Sequence, residues 1–241
     1  MYPKSIKGVL TSLALSLTLI APSAHAQVPS LFATFGQLTS NRPFTFSTGG
    51  GTASLGLNSL IPVSFQFQTA NGFGAAIGDS IAATMSMSST SNGAVFTDTS
   101  FLVQPLKDIE LRFTSTGAPA DSGDLLRVTM TTGNLLARPG GQTARLTGTD
   151  SATGTSIVNF DSDYLDFSVP LVNKNYSIAF TSVAPAAANG GNGFLAPFTA
   201  AATGNFGSAP LPPPKNNIPV PGTLALAALG SLALARRRKA S

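Results

Sequence analysis

From residue 27 to about residue 210 the apolar side chains fall at every second position, and no long segment shows helical spacing. Val63, Phe65 and Phe67 alternate with Ser64 and Gln66, and Ile109, Leu111 and Phe113 with Glu110 and Arg112. Leu126, Val128 and Met130 repeat the pattern, as do Tyr176, Ile178 and Phe180. Successive side chains of a strand project to opposite faces, so this period buries one set and leaves the other in water. It places Glu110 and Arg112 together on the outer face of one strand, as a loose ion pair. Turn residues punctuate the runs: Thr48-Gly49-Gly50-Gly51, Asn71-Gly72, Ser91-Asn92-Gly93, Pro139-Gly140-Gly141 and Asn189-Gly190-Gly191. Asn-Gly and Gly-Gly supply the positive φ of tight hairpins.

Short β-runs, regular turns and no interposed helix predict an all-β fold. The expected form is one antiparallel β-sandwich domain, jelly-roll-like, over 27–210. Sixteen Phe in 241 residues provide a core that needs no disulfides, and the chain has no Cys. Residues 184–193 read as a surface loop or as a short helix through Ala186-Ala187-Ala188.

Charge narrows the function classes. Charged residues are 10% of the chain, against about 25% in an ordinary soluble domain. Ser, Thr, Gly, Asn and Ala take their place, a composition that fits an extracellular β-protein. The formal charge of +4 comes from the ends, because six of the 14 Lys and Arg are Lys4, Lys7, Arg236, Arg237, Arg238 and Lys239. The remaining eight are scattered singly among ten acidic residues. No basic stripe exists, and nucleic-acid binding is not expected.

Residues 1–26 read as a signal peptide. Lys4 and Lys7 are its positive region, an apolar run follows from Val9 to Ile20, Pro22 breaks it, and Ala24-His25-Ala26 is a small–x–small site for signal peptidase. Cleavage after Ala26 removes His25, the only histidine. At the other end, 211–217 (Leu211-Pro212-Pro213-Pro214-Lys215-Asn216-Asn217) is a stiff proline-rich linker. It leads into 218–241, where Ile218-Pro219-Val220-Pro221-Gly222 precedes an apolar, helix-forming stretch over 223–235 and a basic end. Those thirteen residues reach only about 20 Å as a helix, against about 30 Å of hydrocarbon. The basic cluster stays on the cytoplasmic side by the positive-inside bias, so 27–217 lies outside.

Pro219, Val220, Pro221 and Gly222, the short apolar helix and the terminal Arg236, Arg237 and Arg238 together resemble the PEP-CTERM sorting signal of Gram-negative bacteria. Val220 stands where that signal most often has Glu. The resemblance covers about 24 residues and implies export, arrest in the membrane and processing near Pro221 by an exosortase, a membrane-embedded enzyme. It implies a place in the cell envelope or on the extracellular surface, often in bacteria that make exopolysaccharide or biofilm. The other reading of the same tail is a plain C-terminal membrane anchor.

Four patterns bear on catalysis or metal binding. Gly78-Asp79-Ser80-Ile81 resembles the nucleophile block of GDSL hydrolases, but that chemistry needs a His to accept the serine proton, and the mature chain has none. Asp98-Thr99-Ser100 and Asp121-Ser122-Gly123 resemble aspartic-protease loops, yet lie too close in sequence for two lobes. Asp161, Asp163 and Asp166 are the one calcium candidate, because hard cations take carboxylate oxygens. They lack the Gly and distal Glu of an EF-hand and also read as a turn. Glu110 is the only glutamate, so a glycosidase pair would need distant Asp residues. Asn175-Tyr176-Ser177 matches a glycosylation sequon.

The expectation is a non-enzymatic surface or matrix protein without a cofactor, structural or adhesive, in contact with exopolysaccharide. The alternative is a calcium-dependent or carbohydrate-binding module on a plain anchor.

Overall fold

The computed structural model describes residues 29–68, 80–116, 123–150 and 154–213. Twelve strands and no helix occur among them. In chain order they are β1 (Ser30–Gln37), β2 (Phe44–Gly49), β3 (Thr52–Leu57), β4 (Ile61–Phe67), β5 (Ile81–Ser91), β6 (Phe96–Asp98), β7 (Phe101–Ser115), β8 (Asp124–Ala137), β9 (Ala144–Thr149), β10 (Val158–Asp161), β11 (Val172–Ala184) and β12 (Phe198–Ala209). Every pairing is antiparallel and all twelve belong to one sheet, so the all-β, antiparallel expectation holds.

The connectivity adds what periodicity does not contain. β1 pairs with β4, β4 with β5, β5 with β7, β7 with β8, β8 with β9, β9 with β11, β11 with β12, and β12 with β1 again. The sheet therefore closes on itself, each strand of this circuit hydrogen-bonded to a neighbour on both sides. Neighbours follow chain order, an up-and-down meander with none of the long crossovers of a jelly roll.

Three staves of the wall are interrupted. β1 and β2 lie end to end along β12, β3 and β4 along β5, and β9 and β10 along β8. The turn joining β2 to β3 uses Gly50 at φ 59° and Gly51 at φ 80°, the two successive positive values of a hairpin turn that only glycine adopts freely.

The alternating side chains point inward as their period requires. Val63, Phe65, Ile109, Leu111, Phe113, Leu126, Val128, Ile178 and Phe180 are fully buried. A closed wall of eight strands leaves an interior just wide enough for side chains to fill, and phenylalanine fills this one. Phe113 meets Phe35 at 4.9 Å, Phe65 at 5.0 Å and Phe206 at 5.6 Å, linking β7 to β1, β4 and β12 across the interior. A second group pairs Phe44 with Phe180 and Phe46 with Phe198, each at 5.4 Å.

Bulges let the long strands change which parity faces inward. Asp108 (φ 51°) separates Leu106 from Ile109 on β7, and Ser182 (φ 53°) separates Phe180 from Val183 on β11. Both sit at shifts in the pairing register.

The rim holding the β2–β3 turn is covered by 185–197, a loop without helix that carries one isolated bridge, Asn189 to Leu195. Ala187 and Leu195 are buried there. The loop is tied down by Gly140 N–H to the Ala187 carbonyl (2.7 Å) and Val95 N–H to the Gly193 carbonyl (2.7 Å). The opposite rim is covered by 162–171. Its Leu165 is fully buried, and its Phe167 lies 5.7 Å from both Phe32 and Phe160.

Candidate functional site

Ser30 opens β1 and pairs with Ser208 near the end of β12. Both ends of the described wall thus leave from one rim, the one that 162–171 covers. The chain departs from it under restraint. Leu211 packs against the core, Pro212 is buried, and the Pro213 carbonyl accepts the Asp166 N–H at 2.7 Å. The proline-rich segment 211–217 therefore begins docked on the body over its first three residues. Ala24, Ala26, Pro219, Val220, Pro221, Gly222, Arg236, Arg237 and Arg238, with the signal peptide and the apolar stretch 223–235, lie outside the described residues.

The acidic run does not converge. Asp161 ends β10 and its Oδ1 accepts the Ser162 N–H at 3.0 Å. The Asp163 Oδ2 accepts the Asp124 N–H at 2.7 Å, and the Asp166 Oδ1 accepts the Ser168 N–H at 2.9 Å. The Asp161 and Asp166 carboxylates close separate local turns, whereas that of Asp163 pins the rim segment to β8. Among the described residues no three His, Cys, Asp or Glu side chains are grouped to hold a metal ion. Ser162, invisible as a motif, is the hub: its Oγ donates to the Leu125 carbonyl (2.6 Å) and accepts the Tyr164 and Leu165 N–H groups.

Glu110 and Arg112 share the outer face of β7 but do not pair with each other. Arg127 Nη2 lies 2.8 Å from Glu110 Oε1, and Arg112 Nε lies 2.8 Å from Asp124 Oδ1. The loose pair expected along one strand is replaced by two pairs across strands. Strands lie about 4.8 Å apart, whereas same-face neighbours along a strand are nearly 7 Å apart. Arg112 and Arg127 sit directly opposite each other, and the diagonal acids offset that repulsion. The hydrogen bond and charge of Asp124 raise the Arg112 guanidinium further above its ordinary value.

The remaining motifs serve as structure. Ser80 shares a hydrogen bond with Ser64, while Gly78 and Asp79 lie outside the described residues. Asp98 and Thr99 form the tight turn from β6 to β7, with Thr99 Oγ1 donating to Asp98 Oδ1 at 3.2 Å; Asp121 and Ser122 lie outside the described residues. The sequon is on β11, where Asn175 Nδ2 turns back to the Asn173 carbonyl at 3.2 Å and Tyr176 is buried.

Sequence reasoning missed Gln104. It is fully buried, and its Nε2 donates to the Gly93 carbonyl at 2.9 Å while its Oε1 accepts the Leu195 N–H at 3.2 Å. It thereby clamps two loops of the covered rim. Also unforeseen is an outer groove of about 320 Å³ crossing β7, β8 and β9, with Asn92, Thr132, Asn134, Thr147, Thr149 and Ser156 along its walls. No charged side chain lines it.

One comparison with known proteins returns a match: the PEP-CTERM protein-sorting motif fits residues 217–239. No curated protein and no solved structure matches the chain. The motif begins four residues after Pro213, the last described residue. It marks an exported, envelope-associated protein processed by an exosortase-type membrane enzyme.

Proposed function

We propose that the chain is a non-enzymatic structural or adhesive component of a Gram-negative envelope or biofilm matrix, in contact with its exopolysaccharide. Signal peptidase cleaves after Ala26. The stretch 223–235 arrests in the membrane with the 236–239 cluster on the cytoplasmic side, and processing near Pro221 releases the body.

The observation that carries this reading is the shared exit rim. With β1 opening and β12 closing side by side, both targeting segments attach to one end of the body. Gly222 lies nine positions beyond Pro213, and such a span reaches about 30 Å at most. The exit rim therefore faces the membrane before processing. The rim covered by 185–197 and the flanks face away from it, free for matrix contacts.

The test is the intact mass of the protein recovered from its host's envelope and medium, followed by its distribution in the biofilm matrix. A chain that starts at Gln27, ends near Pro221 and co-fractionates with matrix supports the proposal. A chain still carrying Arg236, Arg237 and Arg238 is a membrane-anchored ectodomain and overturns the processing step. Absence from the matrix overturns the adhesive role.

A further inference from the structure

No strand covers 131–133 of β8 on one side, because β9 pairs with it from Asn134 onward and β10 only up to Met130. The groove of about 320 Å³ opens at this breach, a size within the range of small-ligand sites. Among the described residues the side chains of Asn92, Asn134, Thr147 and Thr149 make no hydrogen bond to protein.

A row of polar side chains runs on from the groove around the body. Asn134 is the cross-strand partner of Thr147, Thr147 of Ser177, Ser177 of Asn205, Asn205 of Thr34, and Thr34 of Gln66. One row of six uncharged amide and hydroxyl side chains thus spans β8, β9, β11, β12, β1 and β4. Adjacent strands are about 4.8 Å apart, so the row sets a polar group at every such step, although Ser177 Oγ already accepts Arg145 Nε at 2.8 Å and Thr34 Oγ1 accepts Gln68 Nε2 at 3.1 Å.

This chemistry selects among ligands. Amides and hydroxyls both donate and accept, as a neutral sugar requires. No basic side chain lines the groove to hold a phosphate or uronate, and its apolar side chains are limited to Pro105 and Leu106, too few to hold a lipid chain. The adjoining depression of about 270 Å³ carries Asp108 and Glu110, the latter paired with Arg127. The length of the row fits a polymer better than a single small molecule.

We propose that the groove and its row of amide and hydroxyl side chains form a binding track for a neutral polysaccharide lying across the strands. The ligand class rests on the extracellular reading above. The probes are dextran and hydroxyethylcellulose, with polygalacturonate as the anionic control, in affinity gel electrophoresis of the full-length chain. The expected result is retardation by a neutral glucan, about tenfold weaker in the double variant Asn134→Ala/Thr147→Ala with an unchanged melting temperature. If that variant melts early, Asn205→Ala at the far part of the row replaces it, with the same weakening expected. No retardation, retardation unaltered by these substitutions, or stronger retardation by polygalacturonate overturns the track. A protein that stays in the matrix after the substitutions refutes the track and leaves the adhesive reading standing. A wild-type protein absent from the matrix refutes the reading itself.

Discussion

Replacing Gln104 with leucine tests how the rim opposite the exit is held. The two side chains are close in volume, so the change removes hydrogen bonds with little new cavity. Gln104 is fully buried between the loop at Gly93 and the loop at Leu195. Its Nε2 also donates to the Pro105 carbonyl at 3.3 Å, and its loss affects the three partners unequally. Gly93 is exposed, so its carbonyl turns to water, and Pro105 already accepts the Asn92 N–H at 2.9 Å. Leu195 is fully buried, so its N–H is left without an acceptor. One orphaned buried amide costs about 1–3 kcal/mol, and the apolar replacement regains only part of that. A net loss of about 2 kcal/mol corresponds to a fall in Tm of about 4–8 °C for a domain of this size. Thermal unfolding by circular dichroism measures the loss, and hydrogen exchange locates it, with the Leu195 amide losing protection first. A variant as stable as the wild type, with that amide still protected, would refute the clamp.

Three further substitutions test other parts of the structure. The Tyr176 hydroxyl is buried without a protein partner, so Tyr176→Phe is expected to stabilise by about 1 kcal/mol in denaturant titration; a loss of similar size refutes the orphaned hydroxyl. Burial raises this phenol above its ordinary value of 10.0, so wild-type stability falls as pH rises past about 10, where the unfolded phenol ionises first, and Tyr176→Phe removes that dependence. Gly56→Ala would put a methyl 2.7 Å from the Met87 carbonyl oxygen where β3 meets β5; a loss of about 1–3 kcal/mol is expected, and wild-type stability would mean the strands yield freely. Arg112→Gln removes an exposed pair but also relieves the opposition to Arg127, so its melting curve should overlay the wild type, and clear destabilisation would refute that balance.

Local pattern carried much of the fold. Val63, Phe65, Ile109, Phe113, Val128 and Phe180 are buried where alternation puts them, because the side-chain period of a strand is a local property of the backbone. The bulges at Asp108 and Ser182 were not legible, since a parity change is stabilised by the partner strand's register. The Asp161, Asp163 and Asp166 run illustrates the same limit. Spacing placed three carboxylates near one another in sequence, and the turn built on Ser162 directs each to a different amide. Gln104 gave no signal, as the two loops it clamps lie 11 and 91 residues away.

By itself the sequence determined that the body is antiparallel β-structure with a phenylalanine core, and that its tail carries a sorting address read as a short linear motif. Both are encoded in neighbouring residues, through strand period and through a contiguous signal. Only tertiary structure decided that the wall closes, that both ends leave from one rim, and that Asn134, Thr147, Ser177, Asn205, Thr34 and Gln66 form one row. Those residues are far apart in the chain, and they align only because cross-strand hydrogen bonding fixes the register of each strand against the next.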